Sequence, residues 1–262
     1  WLRCIHIFLA FLLRKKTVVT IHSLSNLTNR YSISITQLFL SLTSKTIFVS
    51  KEISKKFKIK NEIIIPAFIP PDISEEKNLP IEILTLLEKN KSKKIIVNNA
   101  FKLVLHKEQD LYGLDLLIDV ARSIKKDNKN YKIIFVIASM EEKLNLYDHY
   151  AQIIKDENLG EEITLIPYPI SFVKLMMVSD LVVRATNTDG DALTVREALF
   201  LNRPIIASDV TFRPEGTILF KNRDSQDLYL KINETLNKYK REPLNPLEIN
   251  IQVYREMYSS IF

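Results

Sequence analysis

Short runs of apolar, mostly β-branched residues recur along the chain and alternate with longer segments that have helical apolar spacing. The predicted strands are TVVTIH, TIFVS, EIIIP, KIIVNN, YKIIFVIAS, EITLIPY, DLVVRA, RPIIASD and GTILF. The predicted helices include residues 111–126, 141–158, 192–201, 224–240 and 247 to the end. Strands that alternate with helices are typical of βα units and a parallel sheet, so the pattern predicts an α/β fold.

The chain opens with an apolar segment that ends in a basic cluster, WLRCIHIFLAFLLRKK. The apolar run is too short to span a bilayer, and its charges follow the apolar residues, whereas a signal peptide places them before. We therefore expect a buried helix that leads into the strand TVVTIH.

A proline-rich segment divides the chain. Residues 66–80, PAFIPPDISEEKNLP, contain four of the ten prolines and show no apolar period, so we predict an interdomain linker over 71–80. Only three predicted strands precede it, too few for a doubly wound domain. We expect residues 1–70 to be the back half of an N-terminal Rossmann-like domain whose front half lies outside this chain. Residues 81–245 have the length and pattern of a complete Rossmann-like domain.

Composition and charge narrow the function classes. The 262 residues are 46% hydrophobic and 26% charged, as in globular proteins, and the net charge is +6. Lysines cluster in SKKFKIK and KNKSKK, which is typical either of a solvated surface or of one that attracts anions. No nucleic-acid-reading motif is found. The single Cys4 excludes an intramolecular disulfide, and no Cys/His cluster has zinc spacing, so we expect a cytoplasmic protein without a structural metal.

Two predicted loops of the second domain carry candidate chemistry. In an open α/β sheet, ligands bind beyond the carboxyl ends of the strands, close to helix N-termini. Lys102 and Lys107 follow the strand KIIVNN, and lysine ammonium groups suit a diphosphate. Glu197 lies on the helix after DLVVRA, where a carboxylate suits the paired hydroxyls of a ribose or sugar.

The loop TNTDGD precedes that helix. Gly190 permits close backbone approach to a ligand, Thr194 lies on the same helix face as Glu197, and Asp189 lies in the loop before them. Asp191 fits either a ligand contact or the helix N-cap. Each residue alone has a structural alternative, such as a surface lysine or an exposed helical glutamate. Their combination predicts a site for a nucleotide diphospho-sugar.

The segment SDLVVRATNTDGDALTVREALFLNRPIIASDVTFRPEG resembles the donor-site segment of the group 1 glycosyl transferases, which are retaining, sugar-nucleotide-dependent enzymes of GT-B fold. The shared signature is an acidic residue, seven others and a glutamate, here Asp189 and Glu197, then the strand NRPIIASD and the turn Pro214-Glu215. The stretch AFKLVLHKEQDLYGLDLLIDVA is similar to a second motif of this family. VVTIHSL, IFVSKEISKKF and EIIIPAFIP resemble the end of its acceptor domain.

The resemblance implies roles for the residues of the second loop. The counterpart of Glu197 holds the donor ribose hydroxyls. The counterpart of Asp189 and the backbone amides that follow, at Gly190, Asp191 and Ala192, hold the transferred sugar.

The resemblance also implies that Lys102 and Lys107 hold the diphosphate and that His22 faces the transferred sugar. Lys102 stands where the family has Arg, and the extra residues EQDLY separate Lys107 from the following glycine. Either Lys107 is not the true counterpart, or the loop bulges. Residues 246–262 resemble the helix with which these enzymes cross back to the first domain.

We therefore expect a GT-B-like chain that moves a hexose from a UDP- or GDP-sugar to a glycan or lipid-linked acceptor in polysaccharide biosynthesis, with retention and without a metal or other cofactor. The alternative is a non-catalytic sugar-nucleotide-binding or scaffold fragment of such an enzyme. A sugar-nucleotide epimerase is disfavoured because its additional acid/base carboxylates are not found. We expect no nucleic-acid partner. The basic clusters leave open peripheral contact with the inner face of the membrane.

Overall fold

The computed structural model describes residues 2–21, 30–49, 51–65, 68, 70–140, 146–190, 192–239 and 259. Their contacts divide the chain into two compact units, a first unit made mainly of residues before Pro70 and a second unit that begins at Pro70.

The first unit contains a small parallel sheet with helices. Its elements are α1 (Leu2–Leu12), β1 (Val18–Ile21), α2 (Arg30–Leu40), β2 (Lys45–Phe48), α3 (Lys51–Ser54) and β3 (Glu62–Ile64). The strand order is β1-β2-β3. Successive residues of a strand point to opposite faces, so Ile47 packs with Ile65 on one face while Phe48 packs with Leu40 and Phe57 on the other.

The predicted helix at the start of the chain forms as α1, but it is not buried. The side chains of Ile5, Phe8 and Leu12 are 55%, 44% and 58% exposed. Within the described part of the first unit, α1 packs against α2 and leaves most of its apolar surface uncovered. The expectation of a buried helix is therefore wrong for the chain as described.

The second unit is larger. Its elements are α4 (Ile81–Lys89), β4 (Lys94–Ala100), β5 (Leu105–His106), β6 (Gln109–Asp110), α5 (Leu114–Lys126), β7 (Tyr131–Ile137), α6 (Leu146–Asp156), β8 (Ile163–Ile166), α7 (Phe172–Val178), β9 (Leu181–Arg184), α8 (Leu193–Phe200), β10 (Ile205–Ser208), β11 (Ile218–Phe220) and α9 (Ser225–Lys238).

The main sheet of the second unit is parallel, in the order β11-β10-β9-β4-β7-β8. The chain runs from β4 through β7 to β8, then returns to β9 on the other side of β4 and continues to β10 and β11. This reversal is the topology of a doubly wound, Rossmann-like domain, with a switch point between β4 and β9.

Helices cover both faces of this sheet. α5, α6 and α9 contribute to the core on one face, and α4, α7 and α8 to the core on the other. All seven residues of β7 are buried, because a strand covered on both faces needs apolar side chains at successive positions. Burial of each large aliphatic side chain contributes about 1.5–3 kcal/mol, so these two cores hold the strand ends in fixed positions.

The nine predicted strands are all present, and the parallel α/β architecture is confirmed. Helices α2, α3, α4 and α7 and the hairpin β5–β6 are additional to the prediction. The proposed linker 71–80 contributes Ile73 and Leu79 to the core of the second unit. The predicted C-terminal helix lies outside the described residues, apart from Ser259.

Candidate functional site

The two loops that carry the candidate residues leave neighbouring strands at the switch point. The β4 loop, residues 101–113, follows the carboxyl end of β4, and the β9 loop, residues 185–192, follows the carboxyl end of β9. Ligands of open α/β sheets bind in the crevice where the connections of two such strands diverge. Both loops therefore border the expected binding position.

A close backbone contact joins the two loops. Gly113 has a φ of +72°, and a Cβ atom there would lie 2.3 Å from the carbonyl oxygen of Ala185 and 2.6 Å from its Cβ. The backbone N–H of Asn187 donates to the carbonyl of Leu111 at 3.0 Å, and its side-chain amide donates to the carbonyl of His106 at 3.3 Å. Glycine is therefore required at position 113, and the β9 loop is fixed against the β4 loop.

The extra residues in the β4 loop form a hairpin. Leu105 pairs with Asp110 and His106 with Gln109 in antiparallel register. Lys107 and Glu108 form the two-residue turn, with φ of +50° and +62°. Two positive φ angles are typical of the tight hairpin turns that match the twist of strands. The loop thus bulges as a hairpin, and Lys107 lies at its tip.

Asp110 is the last residue of the hairpin, and its side chain caps the start of helix α5. Its carboxylate Oδ1 accepts the backbone N–H groups of Tyr112 at 2.8 Å and Leu114 at 3.2 Å, so it takes the capping role that Gly113, at the N-cap of α5, cannot fill. Burial and the charge of Asp115 raise the pKa of Asp110. This residue, which the sequence motifs did not single out, positions the β4 loop.

Asp189 lies in a buried ionic cluster. Its Oδ2 accepts from Arg184 Nε at 3.1 Å, Arg213 Nη1 at 3.0 Å and Thr186 Oγ1 at 3.1 Å, while Oδ1 accepts the backbone N–H of Gly190 at 3.0 Å. Burial acts to raise the pKa of Asp189, but the two guanidinium groups outweigh it and hold this pKa below its usual value. Asp189 is therefore ionised at neutral pH.

The two arginines of this cluster were not predicted as site residues. The side chain of Arg213 is 2% exposed and also donates to the carbonyl of Ser208 at 3.1 Å. The guanidinium of Arg184 lies 5.2 Å from the centre of the Tyr112 ring in the β4 loop. Two guanidinium groups and one carboxylate give the cluster one net positive charge. The position of Arg184 at the strand end was the signal available in the sequence.

Helix α8 begins directly after the β9 loop. Ala192 occupies its N-cap position and has no side-chain oxygen, so the first amides of α8 receive no side-chain cap from this position. Thr194 is buried, and its hydroxyl donates to the Oδ1 of Asn99 at the end of β4 at 3.3 Å. This bond fixes the start of α8 against β4.

Glu197 lies one turn further along α8 and is half-buried. Burial and the nearby charge of Glu76 raise the pKa of its carboxyl group. Glu76 is itself held by Ser171, the N-cap of α7, whose hydroxyl donates to the Glu76 Oε2 at 2.6 Å. Glu76 lies in the segment predicted as a linker, and no sequence motif indicated this pair of carboxylates.

Two further predicted site residues, Gly190 and Lys102, lie within the described ranges. Gly190 is exposed, has a φ outside the left-handed region, and a Cβ there would meet nothing within 4 Å, so packing does not require glycine. Lys102 is half-buried at the start of the β4 loop. His22 and Asp191 lie outside the described residues.

Two further properties bear on the site. Within the described ranges, no three His, Cys, Asp or Glu side chains are grouped closely enough to hold a metal ion. In the same part of the chain, no helix combines the length and apolar character that crossing a membrane requires.

The sequence and the fold were compared with known proteins. No protein-family profile matches the sequence. The chain is 31% identical over 125 residues to the poly(ribitol-phosphate) α-N-acetylglucosaminyltransferase of Staphylococcus aureus strain COL, a match that covers 47% of this chain and 23% of that protein. The fold is similar to Anabaena HepE in complex with UDP, with a TM-score of 0.63 and 16% identity over 98% of this chain and 76% of that one.

The fold of the chain is that of GT-B glycosyltransferases. Its fold is also similar to S. aureus TarM, with a TM-score of 0.51 and 22% identity over 86% of this chain and 44% of that chain. Other HepE structures contain UDP-glucose, or UDP and glucose. The GT-B similarity extends over nearly all of this chain, whereas the chain spans less than a quarter of the curated relative.

Proposed function

We propose that this GT-B chain binds a UDP-hexose between the β4 and β9 loops and transfers the hexose to a glycan or lipid-linked acceptor with retention of configuration. The observation that carries the proposal is the partly buried position of the Glu197 carboxylate and the absence of a cationic partner for it among the described residues. Its carboxylate is half-buried and faces the like charge of Glu76, and the structure records no ion pair for it within the described residues. A half-buried carboxylate with a perturbed pKa, on the helix that follows the β9 loop, is a candidate functional group.

The proposed role of Glu197 is to bind the ribose. An ionised carboxylate accepts two hydroxyl protons at once, and the vicinal ribose hydroxyls match this geometry. Hydrogen bonds to a charged group contribute about 1.5–3 kcal/mol each. Ligand hydroxyls would thus compensate the partial desolvation of Glu197.

The diphosphate would lie at the start of α8. The first amides of α8 receive no side-chain cap, and backbone N–H groups and the helix dipole at a helix N-terminus favour an anion. Lys102 and Lys107 of the β4 loop would add positive charge. Stabilising the departing diphosphate is the main electrostatic demand of hexosyl transfer, and these groups supply charge without a metal ion.

The transferred sugar would lie near Asp189 and Gly190. Oδ2 of Asp189 already accepts three hydrogen bonds, whereas Oδ1 accepts one, from Gly190, and retains capacity for a sugar hydroxyl. The open space beside Gly190 leaves room for a sugar ring. The roles of His22 in facing the sugar, and of the Asp191 and Ala192 amides in holding it, remain predictions.

UDP is the proposed nucleotide because HepE and TarM have been crystallised with UDP and HepE also with UDP-glucose. In this proposal the second unit is the donor domain, and the first unit is the back half of the acceptor-side domain. Residues 246–262 would form the helix that returns to the first domain.

The acceptor is proposed to be a glycan, because the curated relative acts on poly(ribitol-phosphate). A lipid-linked acceptor would place the protein, proposed to be cytoplasmic, at the inner face of the membrane. The exposed apolar side chains of α1, followed by Arg14, Lys15 and Lys16, support peripheral contact of that kind. Flotation with anionic vesicles tests it: binding that salt removes would support membrane contact, and no binding at low salt would contradict it.

The experiment that tests transfer is incubation of the chain with UDP-N-acetylglucosamine or UDP-glucose and poly(ribitol phosphate), with NMR of the product. An α-linked product from an α-linked donor supports retaining transfer. UDP binding with no product for any donor and acceptor pair would instead support the alternative, a non-catalytic sugar-nucleotide-binding or scaffold fragment.

A further inference from the structure

The charge of the chain is divided unequally between its two parts. Residues 1–69 contain eleven Lys and Arg against two Asp and Glu, whereas residues 70–262 contain 26 against 29. The positive net charge therefore comes entirely from the first part, where the first acidic residue is Glu52. A surface with charge of one sign attracts partners of the opposite sign and accelerates their association.

Part of this charge forms an ordered surface on the first unit. Five exposed lysines lie on α3 and in the segment that follows it. We call this surface the lysine ridge, and its members are Lys51, Lys55, Lys56, Lys58 and Lys60.

Apolar residues between the lysines of the ridge pack on the core of the first unit. Phe57 is 5% exposed and stacks on Phe48 of β2 with ring centres 5.3 Å apart, and Ile53 and Ile59 pack against the same core. Because Phe57 and Ile59 face inward, the lysines on either side of them face solvent. The ridge is thus held by the core of the first unit.

No carboxylate among the described side chains forms an ion pair with the lysine ridge. Within the described part of the chain, the structure records no ion pair for any of its five lysines. The second lysine-rich run, KNKSKK, differs because each of its lysines has an acidic partner. The pairs are Lys89 and Lys93 with Glu161, Lys91 with Glu88, and Lys94 with Asp180. Two similar sequence patterns therefore produce one surface with no recorded ion pair and one on which three carboxylates are paired with four lysines.

We propose that the lysine ridge docks a polyanionic glycan acceptor, one that carries phosphodiester or carboxylate groups along its length. This inference rests on the proposed function and adds the chemical class of the acceptor. Several lysines in a row neutralise successive charges of a polymer and release its counterions, which gives a strongly salt-dependent affinity.

The composition of the ridge favours a charged polymer over two other anionic partners. Anionic lipid attracts basic clusters by charge, but stable membrane binding also uses apolar side chains that insert, and within the ridge Ile53, Phe57 and Ile59 all pack inward. A single-stranded nucleic acid would require exposed aromatic rings for base stacking, and Phe57, the aromatic residue of the ridge segment, is buried.

The test compares two fourfold variants of the whole chain. K55Q/K56Q/K58Q/K60Q removes charge from the lysine ridge, and K89Q/K91Q/K126Q/K129Q removes the same charge from exposed positions of the second unit. The probe is long-chain inorganic polyphosphate, with uncharged dextran as the neutral polymer. We expect the ridge variant to lose about tenfold or more in polyphosphate affinity at low salt, and the control variant to lose less than about threefold.

Equal losses in both variants, or no polyphosphate binding by the unmodified chain, would overturn the proposal. Tighter ridge-dependent binding to anionic vesicles or single-stranded DNA than to polyphosphate would assign the ridge to a membrane or a nucleic acid and would also overturn it. UDP titration of the same preparations distinguishes failure of the ridge inference from failure of the proposed function. A chain that binds UDP but not polyphosphate contradicts the ridge inference alone, whereas a chain that binds no UDP contradicts the proposed function and the acceptor role with it.

Discussion

Gly113 and Ala185 approach so closely that the two loops of the candidate site share a backbone contact, because a Cβ on Gly113 would lie 2.3 Å from the Ala185 carbonyl oxygen. The β4 loop carries Lys102 and Lys107, and the β9 loop carries Asp189. The relative position of the proposed diphosphate-binding and sugar-binding groups therefore depends on this contact.

Substitution of Gly113 by Ala should destabilise the chain by at least about 2 kcal/mol, since a left-handed φ costs an L-residue about 1–2 kcal/mol and the methyl group would also collide with Ala185. Gly160→Ala is the matched control, because a Cβ there meets nothing within 4 Å and should change stability by less than about 0.5 kcal/mol. Urea denaturation of both variants measures the difference. Equal stability of the two would refute the close contact.

Asp189→Asn should cost about 3 kcal/mol at neutral pH, because it leaves two buried guanidinium groups without a counter-charge. The pKa of Asp189 is lowered in the folded state. Its stabilisation is therefore complete above the unfolded aspartate pKa of about 3.9 and is lost as pH falls through the lower folded value.

Urea denaturation at pH 7 and below pH 4 measures the free energy of unfolding of the unmodified chain and of Asp189→Asn. The difference between the two proteins should be smaller in acid. The exposed Asp156→Asn provides the comparison and should change stability little at either pH. An equal difference in unfolding free energy at both pH values would exclude the ionised cluster as the cause of the destabilisation.

Glu76→Gln should shift the pH dependence of UDP affinity. Burial and the charge of Glu76 raise the pKa of Glu197, and only the ionised Glu197 accepts two ribose hydroxyls, so affinity should weaken as pH falls toward that raised pKa. Removing the like charge lowers this pKa and should move the weakening to lower pH. The neighbouring exposed Glu75→Gln should leave the profile in place. Identical profiles for all three proteins would separate Glu76 from the site.

Lys102→Ala and Lys107→Ala should each weaken UDP binding by about threefold to tenfold and leave uridine binding unchanged, since the proposed partner of both ammonium groups is the diphosphate. Calorimetric titration with UDP and with uridine checks this, with exposed Lys129→Ala as control. Lys107 lies at the tip of the β5–β6 hairpin. Loss of UDP affinity for Lys102→Ala alone would remove the hairpin tip from the site.

The sequence predicted the sheet well and the short helices poorly. Strands such as β7 are buried on both faces and appear in the sequence as short, mostly apolar runs, which are easy to recognise. Helix α7 spans seven residues and α4 nine, too short for a clear helical period. Each strand of the hairpin β5–β6 has only two residues, which is too short to produce an alternation of apolar and polar positions in the sequence.

The candidate site was predicted only as far as local motifs reach. Glu197, Thr194 and Asp189 lie within nine residues of each other, so spacing alone brought them together. Arg213 is 24 positions from Asp189, and Glu76 is more distant still from Glu197. These contacts depend on how the strands are ordered and how the segment before α4 packs, which no local pattern specifies.

The central claim is that Glu197 binds the donor nucleotide. Calorimetric titration of UDP into the unmodified chain, Glu197→Gln and the exposed control Glu234→Gln tests it most directly, because each substitution removes one charge and keeps the side-chain shape. The account predicts that Glu197→Gln binds UDP about ten to one hundred times more weakly, as the loss of a charge-assisted hydrogen bond requires, and that Glu234→Gln binds it like the unmodified chain. Equal UDP affinity for all three proteins would contradict the claim.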